Sequence, residues 1–297
     1  MWPFSSGILP WQKVCPENPQ TYSEFMIHRM YHDRNPLLPK LEDKFAAREH
    51  VESIGVCRLP KLYHWTTETP IRLPWNDIPD RCVIKTNHWS GDGLFIMDGG
   101  EDSLSSVSSE ATIPEIYRII REGKDQFGKK WGNRKIERKL GRLVKKHYPR
   151  PLEWATQKIN PRGVMIEELL IDSEGAIPGD IKVHCFHGKV GFIQMDFDRF
   201  DNHTQNIYSP DGKMIPQPNA KKKPNKDVSN IVDYLGDNVF SRLISISEAL
   251  SQGLDHIRVD LFLVDDEFVF GEYTAYHHSG APQSPTWEEV GGKLWSN

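Results

Sequence analysis

Arg258, Asp260 and Phe262 alternate with apolar residues along one stretch of the chain, and Phe268, Phe270, Glu272 and Thr274 alternate along the next. Between the two runs lies an acidic tip, so the pair predicts a β-hairpin. Side chains on a strand point alternately to its two faces, so each set shares one face. If Asp265, Asp266 and Glu267 form the loop, Asp260 stands opposite Glu272 and Arg258 opposite Thr274. Two carboxylates facing each other across a sheet repel unless a proton or a cation lies between them. A hard divalent ion such as magnesium suits that pair, with phosphate oxygens completing its shell. The alternative is an exposed hairpin with scattered charges.

Lys85 ends the apolar run Arg81-Cys82-Val83-Ile84-Lys85, just before Trp89-Ser90-Gly91-Asp92-Gly93. A lysine leaving a strand beside flexible backbone amides can hold phosphate oxygens. Many strands end in a surface lysine, and the P-loop spacing is absent, so this is not a P-loop protein. Farther on, Val164-Met165-Ile166-Glu167-Glu168-Leu169-Leu170-Ile171 leads to a second strand from Asp180. Backbone groups around Leu169 and Leu170 can read the edge of a nucleotide base, while carboxylates reach amino or hydroxyl groups. Asp180, Lys182 and His184 share a face by alternation and His187 does not, which argues against a His184–His187 metal pair.

These residues need elements to position them. Thr21 to His32 is a helix capped by Thr21 with Glu24 three residues on. Asp43 to Ile54 is a second helix, ended by Gly55. Strands are expected at Leu59–Trp65, Cys82–Thr86, Leu94–Met97, Val164–Ile171 and within 181–195. Residues 121–150 carry Lys or Arg at about every third position, and Ile136, Leu140, Leu143 and Val144 recur at helical spacing. That stretch predicts an amphipathic basic helix, either simply solvated or attracting an anionic substrate. Ser241 to Gln252 is a helix leading into the hairpin. Glu101–Ser109 is a polar, serine-rich loop, and Lys221-Lys222-Lys223 a basic one.

Composition narrows the classes. A chain of 297 residues can bury a large core and is expected to form two subdomains. A formal charge of -4 does not call for nucleic acid. No apolar run reaches membrane-spanning length, so no membrane insertion is expected, and the N-terminus lacks the pattern of a signal peptide. Cys15, Cys57, Cys82 and Cys185 are scattered without a C-x-x-C pair, which fits reduced thiols in a cytoplasmic protein.

The order of these motifs resembles the ATP-grasp superfamily: Asp43-Lys44 opening a helix, Val83-Ile84-Lys85 before Ser90-Gly91-Asp92-Gly93, Ile166-Glu167-Glu168-Leu169-Leu170, then Arg258-Val259-Asp260 and Gly271-Glu272-Tyr273-Thr274. More closely, the chain resembles the TupA-like ATP-grasp family, named for teichuronopeptide biosynthesis. The text that carries this is Lys85-Thr86-Asn87-His88, Glu153-Trp154-Ala155, Ile166-Glu167-Glu168-Leu169-Leu170, the run from Asp180 to Lys189, and Arg258-Val259-Asp260. The likeness extends over roughly 27–295.

The resemblance implies an α+β fold in which two subdomains, 44–166 with the glycine lid and 167–297 with the metal hairpin, close on ATP behind a short segment 1–43. It implies an ATP-dependent carboxylate–amine ligase working through an acylphosphate, with a uronic acid and an amino acid of bacterial surface polysaccharide assembly as the suggested substrates. ATP would be held by Lys44, Lys85, Ser90, Gly91 and Gly93, and by Glu167, Glu168, Leu169, Leu170 and Asp180. Mg2+ would be held by Asp260 and Glu272, with Thr274 where the superfamily often has Asn. Arg258 would steady the transferred group, and Lys182 and Arg199 are further candidates for phosphate or carboxylate contact. A sugar kinase and a silent glycan-binding module stay open as alternatives, as does a homodimer.

Overall fold

The computed structural model describes residues 7–91, 93–99, 117–197, 204–218 and 223–297. Asp92, the loop 101–109, Arg199, Lys221 and Lys222 lie outside the described residues.

Helix α1 (Tyr22–His32) begins at the expected cap. Thr21 Oγ1 accepts from the Glu24 N–H at 3.4 Å, and Glu24 Oε2 accepts from the Thr21 N–H at 3.0 Å. Helix α2 (Leu37–Glu42) was not expected, because it contains Pro39. That proline falls in the first turn, where its missing N–H breaks no helical bond. Helix α3 (Ala46–Ile54) starts later than expected at Asp43. Asp43 instead holds the turn that leads into it, its Oδ1 accepting from the N–H of Phe45 at 2.9 Å and of Ala46 at 3.2 Å. Gly55 closes α3 at φ 71°, the left-handed conformation a glycine adopts freely.

Five strands form a first sheet: β1 (Leu62–Thr66), β2 (Arg81–Thr86), β3 (Leu94–Asp98), β4 (Tyr117–Ile120) and β5 (Val164–Glu168). Their order is β1-β5-β2-β3-β4, with β3 and β4 parallel and the other pairs antiparallel. Helix α4 (Asn133–Val144) packs Ile136, Leu140 and Val144 against Cys82, Ile84, Phe95 and Ile166 of this sheet. The helix is shorter than the basic stretch 121–150, because the apolar spacing holds only from Ile136 to Val144. Upstream of it, Arg121, Lys124 and Lys130 pair in short bridges instead.

After the short helix α5 (Trp154–Gln157), a second sheet follows: β6 (Asp180–Phe186), β7 (Lys189–Phe197), β8 (Thr204–Tyr208), β9 (His256–Val264) and β10 (Glu267–Thr274). Its order is β10-β9-β6-β7-β8 and every pair is antiparallel. Helices α6 (Ile231–Leu235) and α7 (Asp237–Leu250) precede β9, and α8 (Pro285–Ser296) ends the chain. Alternation divides this sheet sharply. Val183, Cys185, Ile257 and Leu261 go to the side of α7, where Cys185 Sγ donates to the Ser247 carbonyl at 3.6 Å. Lys182, His184, His256, Arg258 and Asp260 go to the other side, which α1 and α8 cover in part. Tyr22, Met26, Leu38, Leu41 and Val51 share one core with Val183 and Ile257. The segment 22–43 therefore packs into the core of the second sheet.

Three histidines sit inside that layer. His184, His256 and His277 are fully buried around the Tyr22 and Trp287 rings, with Tyr22 Oη 3.5 Å from His184 Nδ1 and 3.4 Å from His256 Nε2. Among the described residues, His184 Nε2, His256 Nδ1 and both nitrogens of His277 meet no hydrogen-bond partner. Burial first, then neighbouring imidazoles and the Arg29, Arg258 and Lys182 cations, hold all three rings well below their ordinary range. They are neutral when folded and take protons when unfolded, so stability falls as pH drops below the ordinary imidazole value. Each ring contributes up to about 1.4 kcal/mol per pH unit in that window. We expect the urea midpoint to decrease from pH 7.5 to pH 5.5, and to change far less when His184 and His256 are both replaced by Asn. A midpoint flat over this range would contradict the assignment.

Candidate functional site

The hairpin of β9 and β10 turns through only two residues, Asp265 at φ 46° and Asp266 at φ 67°, with Val264 paired to Glu267. The three-residue loop expected from the sequence is not formed. A two-residue turn by itself would set Gly271, not Glu272, opposite Asp260. The register instead shifts between Phe270 and Glu272, so that Glu272 faces Asp260 and Thr274 faces Arg258. Gly271 is the extra residue of this bulge. A Cβ there would meet the Phe262 ring at 2.8 Å and the Asp260 carbonyl at 3.1 Å. The bulge also corrects the expected facing: Phe268 and Phe270 pair with Leu263 and Leu261 on the α7 side, opposite Glu272 and Thr274.

Arg258, Glu272 and Thr274 line a cleft of about 420 Å³. Lys44, from the link between α2 and α3, reaches it and lies 3.2 Å from Glu272. Lys85 of β2 also lines it and pairs with Glu167, which is itself 3.7 Å from Arg48. The two lysines are set relative to one another by Asn87, which is fully buried. Its side chain donates to Asp43 Oδ1 at 2.9 Å and to the Pro161 carbonyl at 3.0 Å, and accepts from the Gly163 N–H at 2.9 Å. Its backbone carbonyl accepts from the Lys44 N–H at 3.1 Å. Asn87 thus fastens the Lys44 link to the end of β2 and the start of β5.

Charge in the cleft is tightly coupled. Burial would raise the Glu272 carboxyl, but the Lys44, Arg258 and Lys85 cations override it and hold it down at about 2. Asp260 is 5% exposed and lies outside the cleft wall, behind Arg258. Its two oxygens accept from Arg258 Nε and Nη2, each at 2.6 Å. Burial raises the Asp260 carboxyl against the pull of that guanidinium. Among the described residues, no group of three or more His, Cys, Asp or Glu side chains could hold a metal. An all-protein cage is thus not present. A magnesium ion that keeps one or two carboxylates and shares phosphate oxygens asks for less. Glu272, which lines the cleft, fits that description; Asp260, outside the cleft wall and bonded through both oxygens to Arg258, does not.

Ser90, Gly91 and Gly93 border the same cleft. Gly91 and Gly93 adopt φ 83° and 116°, which only glycine takes without strain. The Ser90 side chain meets Tyr148, another cleft residue. Magnesium–ATP should raise amide hydrogen-exchange protection at Ser90, Gly91 and Gly93, since a closing lid excludes water from the reacting groups. Equal protection with and without the nucleotide would count against a lid.

Other sequence candidates are placed elsewhere. Glu168 pairs with Arg58 at 2.7 Å, and Leu169 and Leu170 are buried beyond β5; neither these nor Glu167 line the cleft. Lys182 is held by Asp180 at 2.8 Å and Asp196 at 2.9 Å, so its charge is committed to two carboxylates and not offered to the cleft. Arg199 lies outside the described residues. Sequence reasoning missed Glu42, Tyr148, Glu153, Tyr276 and Ser279, all of which line the cleft. Glu153 had a signal, since it opens the shared text Glu153-Trp154-Ala155. Glu42 stands two residues before Lys44 on a helix that was not expected.

A family model described as TupA-like ATP-grasp matches residues 24–292. No curated protein matches the sequence. Among solved structures, the chain is similar to a D-alanine–D-alanine ligase from Helicobacter pylori, at 12% identity and a TM-score of 0.43, over 86% of this chain and 61% of that one. It is also similar to the D-alanine–D-alanine ligase from Bacillus anthracis complexed with ATP, at 14% identity and TM-score 0.37, over 80% and 54%. A third is the ATP-grasp ligase PsnB complexed with minimal precursor, at 12% identity and TM-score 0.38, over 88% and 62%. The chain thus spans less than two thirds of the length of each of these structures. No helix among the described residues is long and apolar enough to cross a membrane.

Proposed function

Because the chain belongs to the TupA-like ATP-grasp family, we propose that it is an ADP-forming carboxylate–amine ligase whose reaction takes place in the cleft between the two sheets. The observation that carries this reading is the convergence of Lys44, Lys85, Arg258 and Glu272 on one cleft. Its volume of about 420 Å³ falls within the range of small-ligand sites. Lys85 comes from the first sheet, Lys44 from the link between α2 and α3, and Arg258 and Glu272 from the second sheet. A triphosphate lying between them would join the two halves, which we take as roughly 44–166 and 167–297.

In this reading the two lysines hold phosphate oxygens, and the glycines of the lid let backbone amides approach them. A substrate carboxylate attacks the γ-phosphorus, ADP leaves, and an amine displaces phosphate from the resulting acylphosphate to give an amide. Arg258 stands where charge develops on the transferred group, oriented by its double hydrogen bond to Asp260. Glu272 would hold magnesium, which when bound neutralises phosphate charge, while Asp260 stays committed to Arg258. The family's name supports a uronic acid as the carboxylate and an amino acid as the amine, in cytoplasmic assembly of a bacterial surface polysaccharide.

A coupled assay of ADP release against a panel of sugar acids and amino acids tests this. The ligase reading requires ADP and inorganic phosphate only when both a carboxylate and an amine are present. Phosphate retained on a sugar would make the protein a kinase. Glycan binding without nucleotide turnover would make it a binding module.

A further inference from the structure

One part of the cleft wall is built of carboxyl groups, facing the same space as the lysines and Arg258. Glu153 lies just before α5, is 4% exposed and still lines the cleft. Its Oε1 accepts from the Ser279 hydroxyl at 2.5 Å, the one hydrogen bond its side chain receives among the described residues. An ionised carboxylate offers about four acceptor positions, so most of that capacity is unused. Glu42, at the end of α2, also lines the cleft, and its charge further disfavours ionisation of Glu153. A buried carboxyl in that setting calls for a cation with several donors. Glu272 has its cations already, in Lys44 and Arg258.

Resting on the ligase reading above, we propose that Glu153 docks the amine substrate as an ammonium ion and accepts the proton that frees its nitrogen lone pair. An ammonium brings three donors and a positive charge to a wall of carboxyl acceptors, and its charge favours their ionised form. One proton passes from nitrogen to the Glu153 carboxylate. The freed lone pair forms the C–N bond at the acyl carbon, and the C–O bond to the phosphoryl group breaks, with its electron pair leaving on phosphate. The second nitrogen proton goes to the departing phosphate, and Glu153 releases the first to water. Amide, inorganic phosphate and one proton result.

The surroundings of Glu153 suit this work. Burial pushes its carboxyl up to about 8, against the pull of Ser279, with Glu42 adding to the rise and Arg150 opposing it. A proton acceptor is most effective when its ionisation lies near the working pH. The titratable and charged groups around it are Glu42 from α2, Tyr148 and Arg150 from the segment after α4, and Tyr276 and His278 from the segment after β10.

The test uses the full chain with ethylammonium chloride as the probe, followed by saturation-transfer NMR. The parent should bind it increasingly from pH 6 to pH 9 as Glu153 ionises. Glu153→Gln should bind it at least tenfold more weakly, while binding of a magnesium complex of a non-hydrolysable ATP analogue stays within twofold. Equal ethylammonium binding by parent and variant overturns the proposal, as does binding by the parent that does not change with pH. The pH series needs no variant, so a poorly folded Glu153→Gln leaves the proposal exposed to refutation. Failure of the parent to bind the ATP analogue would refute the ligase reading, whereas the ethylammonium titration is done without nucleotide and judges the Glu153 subsite separately.

Discussion

Arg258→Met is expected to lower amide formation on the order of a hundredfold or more at saturating substrates, the effect of losing one electrostatic contact to a transition state. Nucleotide affinity should change little, because the contact strengthens as charge develops on the reacting centre. The structure adds a second consequence that the sequence did not suggest. Arg258 and Asp260 are 8% and 5% exposed and joined by two hydrogen bonds of 2.6 Å. Removing the guanidinium leaves a buried carboxylate without its partner, a loss of about 3–5 kcal/mol in comparable pairs. The double variant Arg258→Met/Asp260→Asn separates the two effects. It should regain most of the stability in a urea titration and none of the turnover. A double variant that recovered turnover would make Arg258 a structural residue.

Lys44→Met is expected to weaken ATP binding about 10- to 100-fold, the equivalent of one charge-assisted hydrogen bond of about 1.5–3 kcal/mol. Lys44 also holds Glu272 down, together with Arg258 and Lys85. Its removal should move the Glu272 ionisation upward, toward the ordinary carboxylate range. The parent's Glu272 has a folded value near 2, below its ordinary 4.5, so its stabilising contribution is complete above about 4.5 and lost as pH falls toward 2. In Lys44→Met that loss should be smaller and should end at a higher pH, because only the folded value moves. Isothermal titration with magnesium–ATP and an acid-unfolding curve check both parts. Unchanged affinity in Lys44→Met and Lys85→Met together would show that the cleft is not where the nucleotide binds.

Much of this was legible in the chain because it depends on local periodicity. The capping box of α1, the glycine end of α3, and the strands carrying Lys85 and Arg258 all follow from residues close in sequence. Pairing of Asp260 with Glu272 was also reached, though by a compensation of errors. The turn is one residue shorter than expected, and the bulge at Gly271 restores the register. Period-two alternation alone cannot reveal a bulge, so it put Phe268 and Phe270 on the wrong face. It was tertiary packing, through the Phe262 ring and the Asp260 carbonyl against Gly271, that decided the matter.

What the sequence determined by itself was the order of chemical groups along the chain and the strands and helices that carry them. Which of those groups share a cleft was decided by contacts between distant segments. Lys182 had the right type and spacing for a phosphate ligand, yet Asp180 and Asp196 take its charge, and Asp196 comes from a neighbouring strand. Glu42 and Glu153 are 111 positions apart and gave no local sign of acting together, yet both line the cleft. Burial and long-range ion pairing set the charge state and exposure of such side chains. Neither is a property of a residue and its sequence neighbours, so only the folded chain shows them.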